Sequence, residues 1–123
     1  MRKLNEYLEQ WHGNEMSYAG HDCARFVEGW LGRKFPAWQT QAQALRVIRK
    51  HYGVVRVADA LSCELGKSAE IEVYLAQPGD IVALDNAPFD CLGICLGRES
   101  VFLGETGLVR RKTRQAFRAW RKC

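Results

Sequence analysis

Apolar and polar positions alternate with two different periods along this chain, and the change comes near its middle. In residues 2–12, Leu4, Leu8 and Trp11 fall at i, i+4 and i+7, one apolar stripe of a helix that Gly13 ends. A loop, GNEMSYAGH, fills 13–21. Asp22 is a good N-cap for a second helix, CARFVEGWLG, in which Cys23, Phe26, Val27 and Trp30 share a face and Gly32 is the stop. The spacing of Ala42, Leu45, Ile48 and Tyr52 predicts a third helix over 40–52, ended by Gly53. VADALSCELG predicts a short fourth, with Leu61 and Leu65 inward.

Past residue 70 the period shortens to two. Ile71, Val73 and Leu75 alternate, QPGD is a turn, and DIVAL, CLGICLG, SVFLG and GLVRR read as short strands separated by turns. The closing stretch TRQAFRAW is either one helical turn after Thr113 or an extended segment. Helices followed by antiparallel strands are the α+β pattern, here a helical layer on a small sheet of four to six strands.

A chain of 123 residues with 47% hydrophobic and 26% charged residues has the profile of one globular domain. No apolar run approaches the roughly 18 residues of a membrane span. No apolar segment follows the charged start MRKLNEYLEQWHG, so no secretory signal is expected. Five cysteines, Cys23, Cys63, Cys91, Cys95 and Cys123, are an odd number at spacings that fit no zinc motif. Reduced thiols are expected, with no metal and no cofactor. Cys91 and Cys95 share a strand face with Gly93 between them, which suits either a packed interior or a redox-labile or soft-metal pair.

Charge is concentrated at one end. Residues 106–123 hold seven of the eighteen basic residues and no acidic one, so a net charge of +4 leaves the rest mildly acidic. Trp120 between Arg118 and Arg121 reads as an interface anchor within a basic rim, with Phe117 beside it on a helical turn. Against that stands the ordinary alternative, a solvated basic face over core aromatics. No nucleic-acid-binding motif is present.

Cys23 carries the main chemical signal. At the first turn of a helix, partial positive charge favours the thiolate, the nucleophilic form. A buried core cysteine is the competing reading. Asp22-Cys23-Ala24-Arg25-Phe26-Val27 resembles the "D-C-S-G-F-V" opening of the NlpC-type, papain-like cysteine peptidases of the cell wall. Pro78-Gly79-Asp80-Ile81-Val82 resembles their "P-G-D-L-V" strand entry, and Cys91-Leu92-Gly93-Ile94-Cys95-Leu96-Gly97 their "H-V-G-I-Y-x-G" strand. The blocks follow the family order over about residues 20–105, and the arrangement looks like reduced versions of the fold in phage and prophage tail proteins.

The resemblance implies a single papain-like domain over 1–123, with Cys23 at the nucleophile position and His21, Asp22 and Cys91 lining the site. Its base position falls on Cys91 and its third polar position on Leu103, while Ala24-Arg25 replaces Ser-Gly. His21 is close enough in sequence to help polarise the thiol; His12 and His51, at helix ends, are expected on the surface. Loss of the base removes roughly 10²–10⁴ in rate.

The expected function is therefore a structural protein of a phage tail, at its tip, with a degenerate site. It would be assembled in the bacterial cytoplasm and carried in the virion. Its partners would be other tail proteins, with peptidoglycan a further candidate and nucleic acid excluded; Arg118, Trp120 and Arg121 would make the contact. The other reading is an active cysteine peptidase or amidase cleaving peptidoglycan stem peptides. Two expectations follow for the site. Positions 91, 93 and 95 face the helices, so Cys91 lies across from Cys23, and Cys23 is more reactive than Cys63.

Overall fold

The computed structural model describes residues 3–13, 22–86, 88–105 and 107–122. His21 and Cys123 lie outside them, as does most of the loop expected at 13–21. Four helices come first: α1 (Leu4–Trp11), α2 (Cys23–Leu31), α3 (Gln41–Tyr52) and α4 (Val57–Leu65). Six strands follow: β1 (Glu70–Ile71), β2 (Ile81–Leu84), β3 (Cys91–Cys95), β4 (Glu99–Gly104), β5 (Gly107–Lys112) and β6 (Arg118–Trp120).

Local chemistry sets the helix ends. The Asp22 side chain accepts a hydrogen bond from the Arg25 N–H at 2.8 Å, and Thr40 caps α3 through the Gln43 N–H at 3.1 Å. Gly32 and Gly53 close α2 and α3 in the left-handed conformation, at φ 70° and 73°, which glycine adopts without steric cost. Along α3 the buried residues are Ala44 and Ile48, whereas Ala42 is exposed, so the inward stripe is rotated from the expected one.

The strands form one antiparallel sheet in the order β1-β6-β2-β3-β4-β5. The last strand of the chain therefore inserts between the first two. The chain is α+β, with a helical layer on one sheet face. The alternation Ile71, Val73, Leu75 yields only a two-residue strand: pairing with the short β6 stops at Ile71↔Ala119, and Val73–Leu75 coil into a 3₁₀ turn. TRQAFRAW takes both expected forms, a 3₁₀ turn at Thr113–Gln115 and then β6.

The main core lies between helices and sheet. Phe26, Val27 and Trp30 of α2 meet Ile81 and Ala83 of β2, Leu92 and Ile94 of β3, and Trp120 of β6. Tyr7 of α1 reaches under α2, its hydroxyl donating to the Phe26 carbonyl. A second cluster lies on the other sheet face, where Val82, Cys95, Phe102 and Ala119 pack with Ala116. β3 is thus turned over relative to expectation: Leu92 and Ile94 face the helices, and Gly93 and Cys95 face away. Burying a Leu and an Ile against α2 removes far more apolar area from water than burying two cysteines and a glycine. Gly93 also has a reason on the far face, since a Cβ there would collide with the Phe102 ring and the Val101 carbonyl.

Candidate functional site

Cys23 opens α2 where that helix meets the entry to β3. Its thiol donates to the Asp90 carbonyl at 3.7 Å, and the Leu92 N–H is directed at the same sulfur, so the side chain straddles the backbone of Cys91. Asp90 fixes that segment. Its buried carboxylate accepts from Arg56 Nη2 at 2.6 Å and Nε at 3.1 Å, and from the Asn86 and Ala58 N–H groups at 3.2 Å each. Burial alone would raise the Asp90 carboxyl; the Arg56 and backbone hydrogen bonds outweigh it and hold the group below the usual carboxylate range. Asp85 takes a further bond from Arg56 at 2.7 Å, so these two aspartates serve one guanidinium. The sequence carries no signal for this cluster, because Arg56 and Asp90 are distant in the chain and neither lies in a motif.

Arg25, which departs from the peptidase pattern, works as a staple. It donates to the Phe35 carbonyl at 3.4 Å and the Pro36 carbonyl at 2.7 Å, lies 3.6 Å from the carboxylates of Asp22 and Glu28, and covers the Trp38 ring at 4.7 Å. It thereby folds the segment before α3 back over the start of α2. Between that segment and β3 a cleft of about 370 Å³ opens, lined by Asp22, Cys23, Trp38, Asn86, Cys91 and Leu103 among others. The three positions matched in sequence to the peptidase site, 23, 91 and 103, come together here. Cys91 reaches the cleft although its strand face points away from the helices, because it is the first residue of β3 and sits at the rim of the sheet. Asp22 is buried, and among the described residues neither its Oδ2 atom nor the buried Trp38 Nε1 has a hydrogen-bond partner.

The electrostatics run against a thiolate. Cys23 is half-buried, with its sulfur packed against the backbone at the entry to β3. Burial pushes the thiol up to about 12, and the neighbouring Cys91 and Asp22 charges add to the rise. The Leu92 and Cys23 N–H groups act the other way and are overcome. Burial likewise pushes Cys91 up to about 11, against the pull of Arg111. The activated thiolate expected from the helix N-terminus is therefore corrected: desolvation exceeds the helix-end effect. His12 and His51 are exposed and do not line the cleft, and His21 lies outside the described residues. Among the described residues no group of three metal-ligating side chains occurs.

The basic end is placed differently from expectation. Trp120 is fully buried, its Nε1 donating to Ser62 Oγ at 2.9 Å. Arg118 donates to Asp59 at 2.6 Å, Ser62 at 2.6 Å and Glu70 at 2.8 and 2.9 Å, tying β6 to α4 and β1. The hydrogen bond from Arg118 holds Glu70 below its ordinary carboxylate range. Arg121 lies 3.6 Å from Asp80 and donates to the Leu75 carbonyl at 3.0 Å. These side chains are occupied within the molecule, because β6 is an interior strand and not a terminal helical turn. Phe117 is partly exposed under Arg56, whose guanidinium lies 4.8 Å from the ring centroid.

Residues 1–122 match DUF6950, a domain of unknown function, and the chain belongs to that family. No curated protein and no solved structure matches the chain.

Proposed function

We propose that this DUF6950 chain is a structural protein of a phage tail, built on a papain-like domain of the NlpC type whose peptidase site no longer cleaves. The observation that carries this reading is the pairing of Cys23 with Cys91. A second thiol stands where the related peptidases present an imidazole, and both thiols are held protonated. A protonated thiol is a poor nucleophile, and a thiol that itself holds its proton near neutral pH is no general base. Leu103 supplies an apolar side chain where the resemblance calls for the third polar group. What supports the papain-like reading is the meeting of positions 23, 91 and 103 in one cleft, beside a helix that opens on the cysteine.

The second reading, a cysteine peptidase or amidase acting on peptidoglycan stem peptides, has one observation in its favour: the Leu92 N–H and the α2 N-terminus both address the Cys23 sulfur. Incubation with purified peptidoglycan, followed by mass analysis of the soluble fraction, separates the two. The structural reading expects no fragments beyond those from Cys23→Ala. Release of stem-peptide fragments that depends on Cys23 would establish the enzyme instead. Quantitative mass spectrometry of purified tail particles tests the assembly role, and absence of the chain from intact particles would overturn it.

A further inference from the structure

The sheet has one long open edge. β1 closes the other edge with only two residues, whereas β5 presents six and pairs with β4 alone. The parity of its backbone follows from the ladder. Thr113 N–H bonds the Arg98 carbonyl at 2.8 Å, in register with the pairs Ser100↔Arg111, Phe102↔Val109 and Gly104↔Gly107. Residues 107, 109 and 111 therefore turn their N–H and C=O groups toward β4. Leu108, Arg110 and Lys112 turn theirs outward, where no strand meets them among the described residues, and the Arg110 carbonyl there accepts from Arg111 Nη1 at 2.9 Å.

Cations predominate at one end of this edge, with Glu72 and Glu99 the acidic residues beside them. Arg110, Arg111 and Lys112 are exposed, with Arg98 and Arg114 beside them. Arg110 pairs with Glu99 at 3.7 Å, and among the described residues none of the other four forms an ion pair. Leu108 and Val109, half-buried, make the other end apolar. A second copy of this chain would add another run of cations to the edge, so like charge disfavours self-pairing. A nucleic acid would meet the charges but could not use outward backbone groups at strand spacing.

We propose that the β5 edge is a docking site for an acidic, extended segment of a partner protein, added antiparallel as a further strand. This is independent of whether the Cys23 cleft cleaves anything. The outward N–H groups of Leu108, Arg110 and Lys112 and the Leu108 carbonyl supply the hydrogen bonds; a guest carboxylate draws the Arg111 guanidinium off the Arg110 carbonyl, which then joins the ladder, and Arg111 and Lys112 select the charge. Antiparallel addition sets the order of the guest: acidic residues first, opposite 112 to 110, then apolar residues opposite 109 and 108.

The test uses the full chain and a blocked peptide, Gly-Glu-Glu-Glu-Val-Val-Gly, followed by NMR titration and amide hydrogen exchange at low salt. The expected result is saturable binding with at least tenfold slower exchange at Leu108, Arg110 and Lys112. Binding should weaken as salt is added and fall at least tenfold in R111E/K112E. That variant should in turn bind the Lys-Lys-Lys-Val-Val counterpart, which shows that it remains folded. Absence of protection at these three amides overturns the proposal. So does equal binding by a peptide N-methylated at alternate residues, tighter binding of the reversed order Val-Val-Glu-Glu-Glu, or tighter binding of a short oligonucleotide.

Discussion

Replacing Trp120 by alanine separates a core role from an interface role. The side chain is fully buried between α4 and the sheet, and its ring N–H is bonded to Ser62 Oγ. A tryptophan of this kind removes about 200 Å² from water, which at about 25 cal/mol per Å² is about 5 kcal/mol as an upper bound. Losing the hydrogen bond adds about 1 kcal/mol, and partial collapse of the cavity returns some of the total. The expected destabilisation is about 4 kcal/mol, within the ~3–5 kcal/mol observed for such truncations. That is a large share of the roughly 5–15 kcal/mol available to a domain and lowers the melting midpoint by roughly 15 °C. Trp120→Phe keeps most of the area and should cost about half as much or less. Urea denaturation of the isolated chain, followed by far-ultraviolet circular dichroism, reads both changes directly. If Trp120→Ala shifts stability by less than about 1 kcal/mol, the ring is not in the core and the placement of β6 between β1 and β2 is refuted.

The thiols should react in an order set by burial. With a thiol-alkylating reagent at pH 7–8, mass-resolved labelling is expected to find exposed Cys63 modified well before Cys23 or Cys95, with Cys23 gaining reactivity only as pH approaches 12; early labelling of Cys23 would mean an activated thiolate. Acid stability tests the two ion-pair clusters, around Arg56 and around Arg118. Asp90 and Glu70 are held below their ordinary range, so they contribute stability above roughly pH 4 that is lost as pH falls through their folded values. Urea midpoints between pH 6 and 2.5 should therefore fall on acidification. The fall should be shallower in Glu70→Gln; an unchanged slope would show that the Arg118 pairing does not couple to folding.

Much of the architecture was legible in the sequence because it is locally encoded. The caps at Asp22 and Thr40 and the stops at Gly32 and Gly53 act within one turn of the residues they satisfy, so α2 and α3 end where their residue types require. The strand cores DIVAL, CLGIC, SVFLG and GLVRR also follow locally, as short apolar runs separated by turn residues. What alternation cannot fix is which face is inward. β3 carries cysteines on one side and Leu92 and Ile94 on the other, and only the presence of α2 across the sheet decides in favour of the larger side chains.

The site divides in the same way. The resemblance to the peptidase pattern brought positions 23, 91 and 103 into one hypothesis, and all three line one cleft. The state of the thiol was not legible, since the helix-end effect is a local property while desolvation depends on everything packed around the sulfur. The basic end was misread for a related reason. A run of cations in sequence says nothing of where the carboxylates will be, and Asp59, Glu70 and Asp80 reach Arg118 and Arg121 only because β6 inserts between β1 and β2. The elements, their caps and the α+β order depend on neighbours a few residues away, so they could be read before the chain was folded. Sheet order, the inward face of β3 and the protonation of Cys23 depend on side chains that meet only after the chain has folded.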